Sequence, residues 1–165
     1  RDASVDGMKT GMTDTAGYCL VSSAKRNDMR LVAVVMGTES MKTREDASLA
    51  LLNYGFNFFE TRRLQAAGVE MASQRVYKAR GGRAAVGIAA DLLVTLPRGR
   101  ADRIELKVEL APKVFAPLSA SDRVGVVRAV LDGQVVVEAA LQPLADVPLG
   151  GFFRRIWDTI LSWFV

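Results

Sequence analysis

In the stretch Arg103-Ile104-Glu105-Leu106-Lys107-Val108-Glu109-Leu110, charged and apolar residues alternate without a break. A period of two puts Ile104, Leu106, Val108 and Leu110 on one side of an extended chain and the charges on the other, which is the pattern of a strand with one solvated face. Such a strand needs partners. The run Val130-Leu131-Asp132-Gly133-Gln134-Val135 supplies a pair, because Asp-Gly between β-prone segments suits a two-residue hairpin turn. Residues 69–77, 92–96 and 124–130 are further short β-type segments punctuated by glycine and proline. The texture begins after Arg62-Arg63-Leu64, so a domain boundary is placed near residue 63. Residues 63–149 are expected to form a small antiparallel β-sandwich. It contains no catalytic constellation, and a spacer role is expected of it.

The preceding residues, 1–62, read differently. Residues 18–23 and 31–36 are apolar and β-prone, and Lys25-Arg26-Asn27-Asp28 between them predicts a hairpin turn. Thr43-Arg44-Glu45-Asp46 then reads as a threonine cap with acids in the first helical turn, followed by Ala47, Leu51, Tyr54 and Phe58 as the apolar face. Arg44 would face the positive end of that helix, which leaves it either solvated or bound to an anion. Ser22-Ser23-Ala24-Lys25 matches Ser-x-x-Lys in form only. A strand running into a turn does not hold a serine and a lysine one helical turn apart, so Ser22 is not read as a nucleophile.

Composition narrows the chemistry. Half of the 165 residues are hydrophobic, enough to build a core. The charge of +4 is spread without a dense basic run, so nucleic acid is not expected as a partner, while an anionic membrane surface remains open. With no histidine and one cysteine, Cys19, neither a zinc site nor a histidine-based triad can be assembled. No metal and no cofactor are expected, and any acyl transfer would rely on lysine as its base. Cys19 lies in an apolar run and reads as a small buried residue.

Residues 150–165 form the second informative stretch. Phe152, Phe153, Ile156, Trp157, Ile160, Trp163 and Phe164 make up its apolar set, largely at three- and four-residue spacing, with Arg154, Arg155, Asp158, Thr159 and Ser162 opposite. The segment is too short and too charged to span a bilayer comfortably. It predicts an amphipathic helix lying in a membrane interface with its arginines at the headgroups; the alternative is a terminal helix docked on its own domain.

Several separated motifs in order carry a resemblance. Asp6-Gly7-Met8-Lys9-Thr10-Gly11-Met12-Thr13-Asp14-Thr15-Ala16-Gly17-Tyr18, then Val35-Met36-Gly37, Lys42-Thr43-Arg44-Glu45, Tyr54-Gly55-Phe56-Asn57-Phe58-Phe59-Glu60 and Leu96-Pro97-Arg98-Gly99-Arg100, resemble the serine-type D-alanyl-D-alanine carboxypeptidases of the penicillin-binding protein 5 and 6 type. Lys-Thr-Gly is the third signature of the penicillin-recognising serine acyltransferases, after Ser-x-x-Lys and Ser-x-Asn. The resemblance implies an α+β chain: the C-terminal part of a β-lactamase-like peptidase domain over residues 1–62, a spacer over 63–149 and an anchor over 150–165. It implies as partners a peptidoglycan stem peptide ending in D-Ala-D-Ala, β-lactams, and the periplasmic face of the bacterial inner membrane.

Residue by residue, the resemblance makes Lys9 the catalytic cation, with Thr10, Gly11, Met12, Thr13 and Arg44 on the substrate. The familiar type has histidine where this chain has Met12, which bears on substrate orientation, pH dependence and deacylation. The nucleophile, its lysine base and Ser-x-Asn do not occur here in usable form, so the chain is expected to be inactive by itself. Two alternatives compete: a non-catalytic membrane-associated β-domain protein, and a β-lactamase, which would leave the β domain and anchor without a purpose.

Overall fold

The computed structural model describes residues 2–161, with side chains through Thr159, in two compact units. The first comprises Arg1–Arg62 and Thr95–Ala101, the second Arg63–Val94 and Asp102–Val165.

The first unit begins with β1 (Val5–Thr13), β2 (Gly17–Arg26) and β3 (Met29–Thr38), an antiparallel sheet in the order β1-β2-β3. Its second hairpin is longer at both ends than the apolar runs alone suggest. The turn falls at Asn27-Asp28, with Asn27 in the left-handed region (φ 52°), and Lys25 pairs with Arg30 inside the ladder. Helix α1 (Met41–Phe58) packs one face on this sheet. Its cap is Ser40, whose hydroxyl accepts the Thr43 N–H at 3.1 Å, and not Thr43 itself. That places Glu45 and Asp46 in the second turn, where Asp46 pairs with Lys42.

The buried stripe of α1 is also offset from the expected one. Arg44, Ser48, Leu52 and Phe56 face the sheet, whereas Leu51, Tyr54 and Phe58 are more than half exposed. Both sets have helical spacing. The sheet offers a mixed surface to match, with Ala24, Met29 and Ala33 around Leu52 and Phe56, and Ser22 opposite Ser48. A stripe containing two polar residues carries a weak hydropathy signal, so apolar counting selects the wrong face.

The chain then passes through β4 (Phe59–Gln65), which pairs with β7 (Leu92–Pro97) in a two-stranded ladder. In the second unit β5 (Ala72–Arg75), β6 (Arg83–Gly87), β8 (Ile104–Leu110), β9 (Gly125–Leu131) and β10 (Gln134–Pro143) form one antiparallel sheet in the order β5-β6-β10-β9-β8. The unit is a mostly-β domain. The expected strand at 69–77 shortens to β5, the segment at 92–96 pairs with β4 instead of joining the main sheet, and β6 is a strand that periodicity does not announce. Arg-Ala-Ala-Val-Gly has little β-propensity, and its pairing with both β5 and β10 is what makes it extended.

The Asp132-Gly133 turn joins β9 and β10 with both residues at positive φ (53° and 82°), as a type I′ hairpin requires. β8 is an edge strand of this sheet, so Leu106 and Val108 stay 37% exposed although they alternate in sequence as expected. On the other face Arg128 of β9 pairs with Glu109 of β8 and Glu138 of β10, a charged rung across three strands. Val76, Ala79, Val86, Val114, Val124 and Val147 form one core cluster, and Ile88, Leu92, Val127 and Leu141 another. Helix α2 (Phe152–Leu161) closes the described chain.

Candidate active site

Lys9, Thr10, Gly11, Met12 and Thr13 lie consecutively on β1, whose outer edge carries no strand among the described residues. They pair with Val21, Leu20, Cys19, Tyr18 and Gly17 of β2. Paired residues share a face, and β2 turns Ser22 and Ala24 toward α1. Alternation therefore sends Thr10 with Met8 to the α1 side and Lys9 with Gly11 to the opposite side. The Lys-Thr-Gly motif is thus a strand edge whose side chains divide between two faces. Lys9 is exposed and its Nζ donates to the Thr10 carbonyl at 3.0 Å. A Cβ built on Gly11 would meet no atom within 4 Å among the described residues, and the backbone edge beside it has no partner strand among them.

The strand ends in a turn held by Thr13. Its hydroxyl accepts the Ala16 N–H at 3.0 Å and lies 3.4 Å from the Thr15 hydroxyl. Gly17 closes the turn at φ +65°, with the Thr38 carbonyl 2.9 Å from where a side chain would begin. Thr13 Oγ1 is therefore committed to shaping the hairpin as well as exposed beside it.

Arg44 is buried, at 8% exposure, and so is not a solvated arginine. Its Nη1 donates to the Cys19 carbonyl at 3.4 Å and its guanidinium lies 5.7 Å from the Tyr18 ring centroid. Cys19 and Tyr18 are the register partners of Gly11 and Met12, so Arg44 braces β2 directly behind the Lys-Thr-Gly edge. Its Nε is buried without a hydrogen-bond partner among the described residues. Cys19 itself is only partly buried.

Ser22 is 3% exposed in the middle of β2 and hydrogen-bonds the Ser48 hydroxyl, while Lys25 is exposed near the strand's end. The pair is a polar tie between sheet and helix.

Two ion pairs that sequence periodicity does not reveal hold the start of β1. Arg26 reaches Asp2 (2.6 Å), Ser4 (3.2 Å) and Asn53 (2.9 Å) and stacks 4.4 Å from the Phe56 ring, joining the lead into β1 to β2 and α1. The Ser4 hydroxyl and amide, followed by Arg26, hold the Asp2 carboxyl down at about 2. Arg30 grips Asp6 through two nitrogens at 2.9 and 2.8 Å and lowers its carboxyl below the usual range. The contacting residues are 24 positions apart, so only the strand register brings them together.

In the second unit, the apolar residues expected of an anchor lie outward on α2: Phe152 is 68%, Phe153 86%, Ile156 48% and Trp157 65% exposed. The side chain of Ile160, and Trp163 and Phe164, lie outside the described residues. The polar face is not simply solvated. Asp158 is 6% exposed and its Oδ2 accepts the Lys78 N–H at 2.6 Å, fastening α2 to the loop between β5 and β6. No helix among the described residues is long and apolar enough to cross a membrane, and no group of acidic, cysteine and histidine side chains there could hold a metal ion.

Comparison with known proteins gives this geometry a lineage. Residues 1–40 match a family model described as D-alanyl-D-alanine carboxypeptidase, and residues 59–149 match one described as penicillin-binding protein 5, C-terminal domain. The D-alanyl-D-alanine carboxypeptidase DacA of Escherichia coli K12 is 41% identical over 157 residues, covering 94% of this chain and 39% of that protein. Its Haemophilus influenzae counterpart is 42% identical over 159 residues, covering 95% and 40%. Among solved structures, penicillin binding protein 5 from Haemophilus influenzae superposes with a TM-score of 0.79 at 41% identity, over 87% of this chain and 42% of the other. The carboxypeptidase DacD from Francisella tularensis gives 0.62 at 29% identity, over 90% and 37%. The chain thus spans about two-fifths of the curated relatives it matches. With a family model covering most of its β-rich unit and another covering its Lys-Thr-Gly strand, the chain belongs to the penicillin-binding protein 5 type of D-alanyl-D-alanine carboxypeptidases.

Proposed function

We propose that this chain supplies the substrate-binding edge, the spacer and the membrane anchor of a carboxypeptidase that removes the terminal D-alanine from peptidoglycan stem peptides. In this reading the sheet β1-β2-β3 and α1 are the C-terminal part of a β-lactamase-like peptidase domain. A serine outside these 165 residues attacks the carbonyl of the penultimate D-alanine, D-alanine leaves, and water hydrolyses the acyl-enzyme. β-Lactams acylate the same serine.

The observation that carries the reading is the open edge of β1 at Gly11. An extended peptide can pair with it as an added strand, and the missing Cβ lets the two backbones approach. Lys9 then brings positive charge to the reacting serine and the substrate carboxylate, where a water-poor cleft magnifies it. Thr10 and Thr13 offer hydroxyls to the peptide and its terminus. The backbone N–H of Met12 serves as an oxyanion donor whatever its side chain, and Arg44 keeps the strand behind it in place and adds positive potential. The β-rich unit holds the peptidase away from the periplasmic face of the inner membrane, on which α2 lies.

Fluorescent penicillin tests this on the product of the full reading frame. A labelled band is expected, with labelling slowed at least about a hundredfold by Lys9→Ala, the scale of losing one electrostatic donor. No label, or a rate unchanged by the substitution, would overturn the assignment.

A further inference from the structure

We propose that the β-rich unit itself touches lipid: Arg75, at the end of β5, and the loop that follows it form with α2 a single surface for anionic phospholipid headgroups. This rests on the anchoring reading of α2 and extends it from the helix to the domain that carries it.

Charge is the first support. Residues 71–90 hold four cations, Arg75, Lys78, Arg80 and Arg83, and no carboxylate, and α2 adds Arg154 and Arg155. The second is attachment. The Gly150 N–H, just ahead of the helix, donates to the Lys78 carbonyl at 2.7 Å and the Lys78 N–H donates to Asp158 Oδ2 at 2.6 Å, so both backbone groups of Lys78 fasten the helix and its lead-in to this loop. Asp158 is the only acid in α2, and it is buried and occupied by Lys78, with Arg154 Nε 3.8 Å away. Its charge therefore presents little repulsion to an approaching anion.

The third support is where Arg75 sits. It is exposed, its guanidinium stacks 4.6 Å from the Tyr77 ring, and it makes no ion pair among the described residues. It lines one groove with Phe153, Arg154, Ile156, Trp157 and Asp158. Aromatic rings and guanidinium groups thus open onto the same space. A guanidinium fits phosphate oxygens in a two-pronged contact, and Trp and Phe settle at the boundary between headgroups and acyl chains. A bilayer offers both at once, a plane of phosphates over an apolar layer, and that combination selects it over a soluble acidic partner.

The test measures partition of the full chain onto vesicles of phosphatidylcholine alone and of phosphatidylcholine with phosphatidylglycerol. Arg75→Gln should weaken binding to the anionic vesicles about fivefold, the contribution of one basic residue near a charged surface, and leave binding to neutral vesicles unchanged. Arg123→Gln, an equal charge change elsewhere in the unit, should alter neither. An Arg75→Gln protein that binds anionic vesicles like the parent, or that loses no more than Arg123→Gln, overturns the proposal. Removal of residues 150–165 separates it from its premise. Undiminished binding after the deletion overturns the anchor itself, whereas binding lost by the deletion and untouched by Arg75→Gln overturns the domain's part alone.

Discussion

On the proposed reading, Gly11 serves ligand binding and not the fold, and substitution can separate the two. Its position in β1 has free space where a side chain would be, so Gly11→Val adds no clash and replaces a poor strand former with a good one. The melting temperature is expected to hold or rise slightly. Acylation by a fluorescent penicillin, measured on the full reading frame, is expected to fall at least about tenfold if the proposed strand pairing holds, because the added methyls then stand in the way of the ligand backbone. Loss of both stability and labelling would mean that Gly11 serves the fold.

The carboxylates at the start of β1 act in the opposite sense. Asp2 is held at about 2 by Ser4 and Arg26, and Asp6 is lowered by Arg30, with Ser23 second. A carboxyl whose folded value lies below its unfolded one stabilises the fold fully above the unfolded value, near 4, and the contribution disappears as pH falls through the folded value. Melting temperature is therefore expected to be flat above about pH 5 and to drop between about pH 4 and 2. Asp2→Asn should melt lower at neutral pH and show a shallower drop in that window. A substituted protein whose pH profile runs parallel to the parent's would refute the assignment.

At the scale of elements, the strands whose apolar residues alternate or sit beside turn residues were legible, and those made by their neighbours were not. β8 and the Asp132-Gly133 hairpin carry their signals locally. β6 carries none, since Arg83, Ala84 and Ala85 become a strand only because β5 and β10 flank them. Lys9 to Thr13 could be found as a motif, but the face each side chain takes depends on the register with β2, and the brace behind them depends on which stripe of α1 is buried. That stripe is testable. Leu52→Ala removes a side chain 2% exposed and is expected to cost about 2–5 kcal/mol in urea unfolding, while Leu51→Ala, at a position 51% exposed, should stay within about 0.5 kcal/mol. Equal losses would return the helix to the face that hydropathy alone selects.

For the whole molecule the question is which pieces can stand alone, and the two units differ in what they leave uncovered. The sheet of the first unit turns Val32, Val34 and Met36 away from α1, 57%, 57% and 71% exposed, and its outer strands β1 and β3 have no further partner strand among the described residues. Apolar surface beside unpaired strand edges favours association between chains, so residues 1–58 expressed alone are expected to aggregate. The second unit encloses two core clusters of its own. Its boundary, however, is not a single cut. Thr95–Ala101 belong to the first unit, and β7 depends on β4, which begins at Phe59. Residues 59–165 keep that ladder, including the bond from Thr61 to Thr95 and the reach of Arg63 to Asp91. They are expected to give a monodisperse sample with one cooperative urea transition. Starting instead at residue 66 removes β4, leaves Leu92–Pro97 without a partner strand and takes Leu64 from the cluster of Ile88, Leu92, Val127 and Leu141. That shorter chain is expected to unfold at lower urea and to self-associate on size exclusion with light scattering. Equal midpoints for the two would show that the ladder contributes nothing to the β-rich unit and that its fold begins after β4.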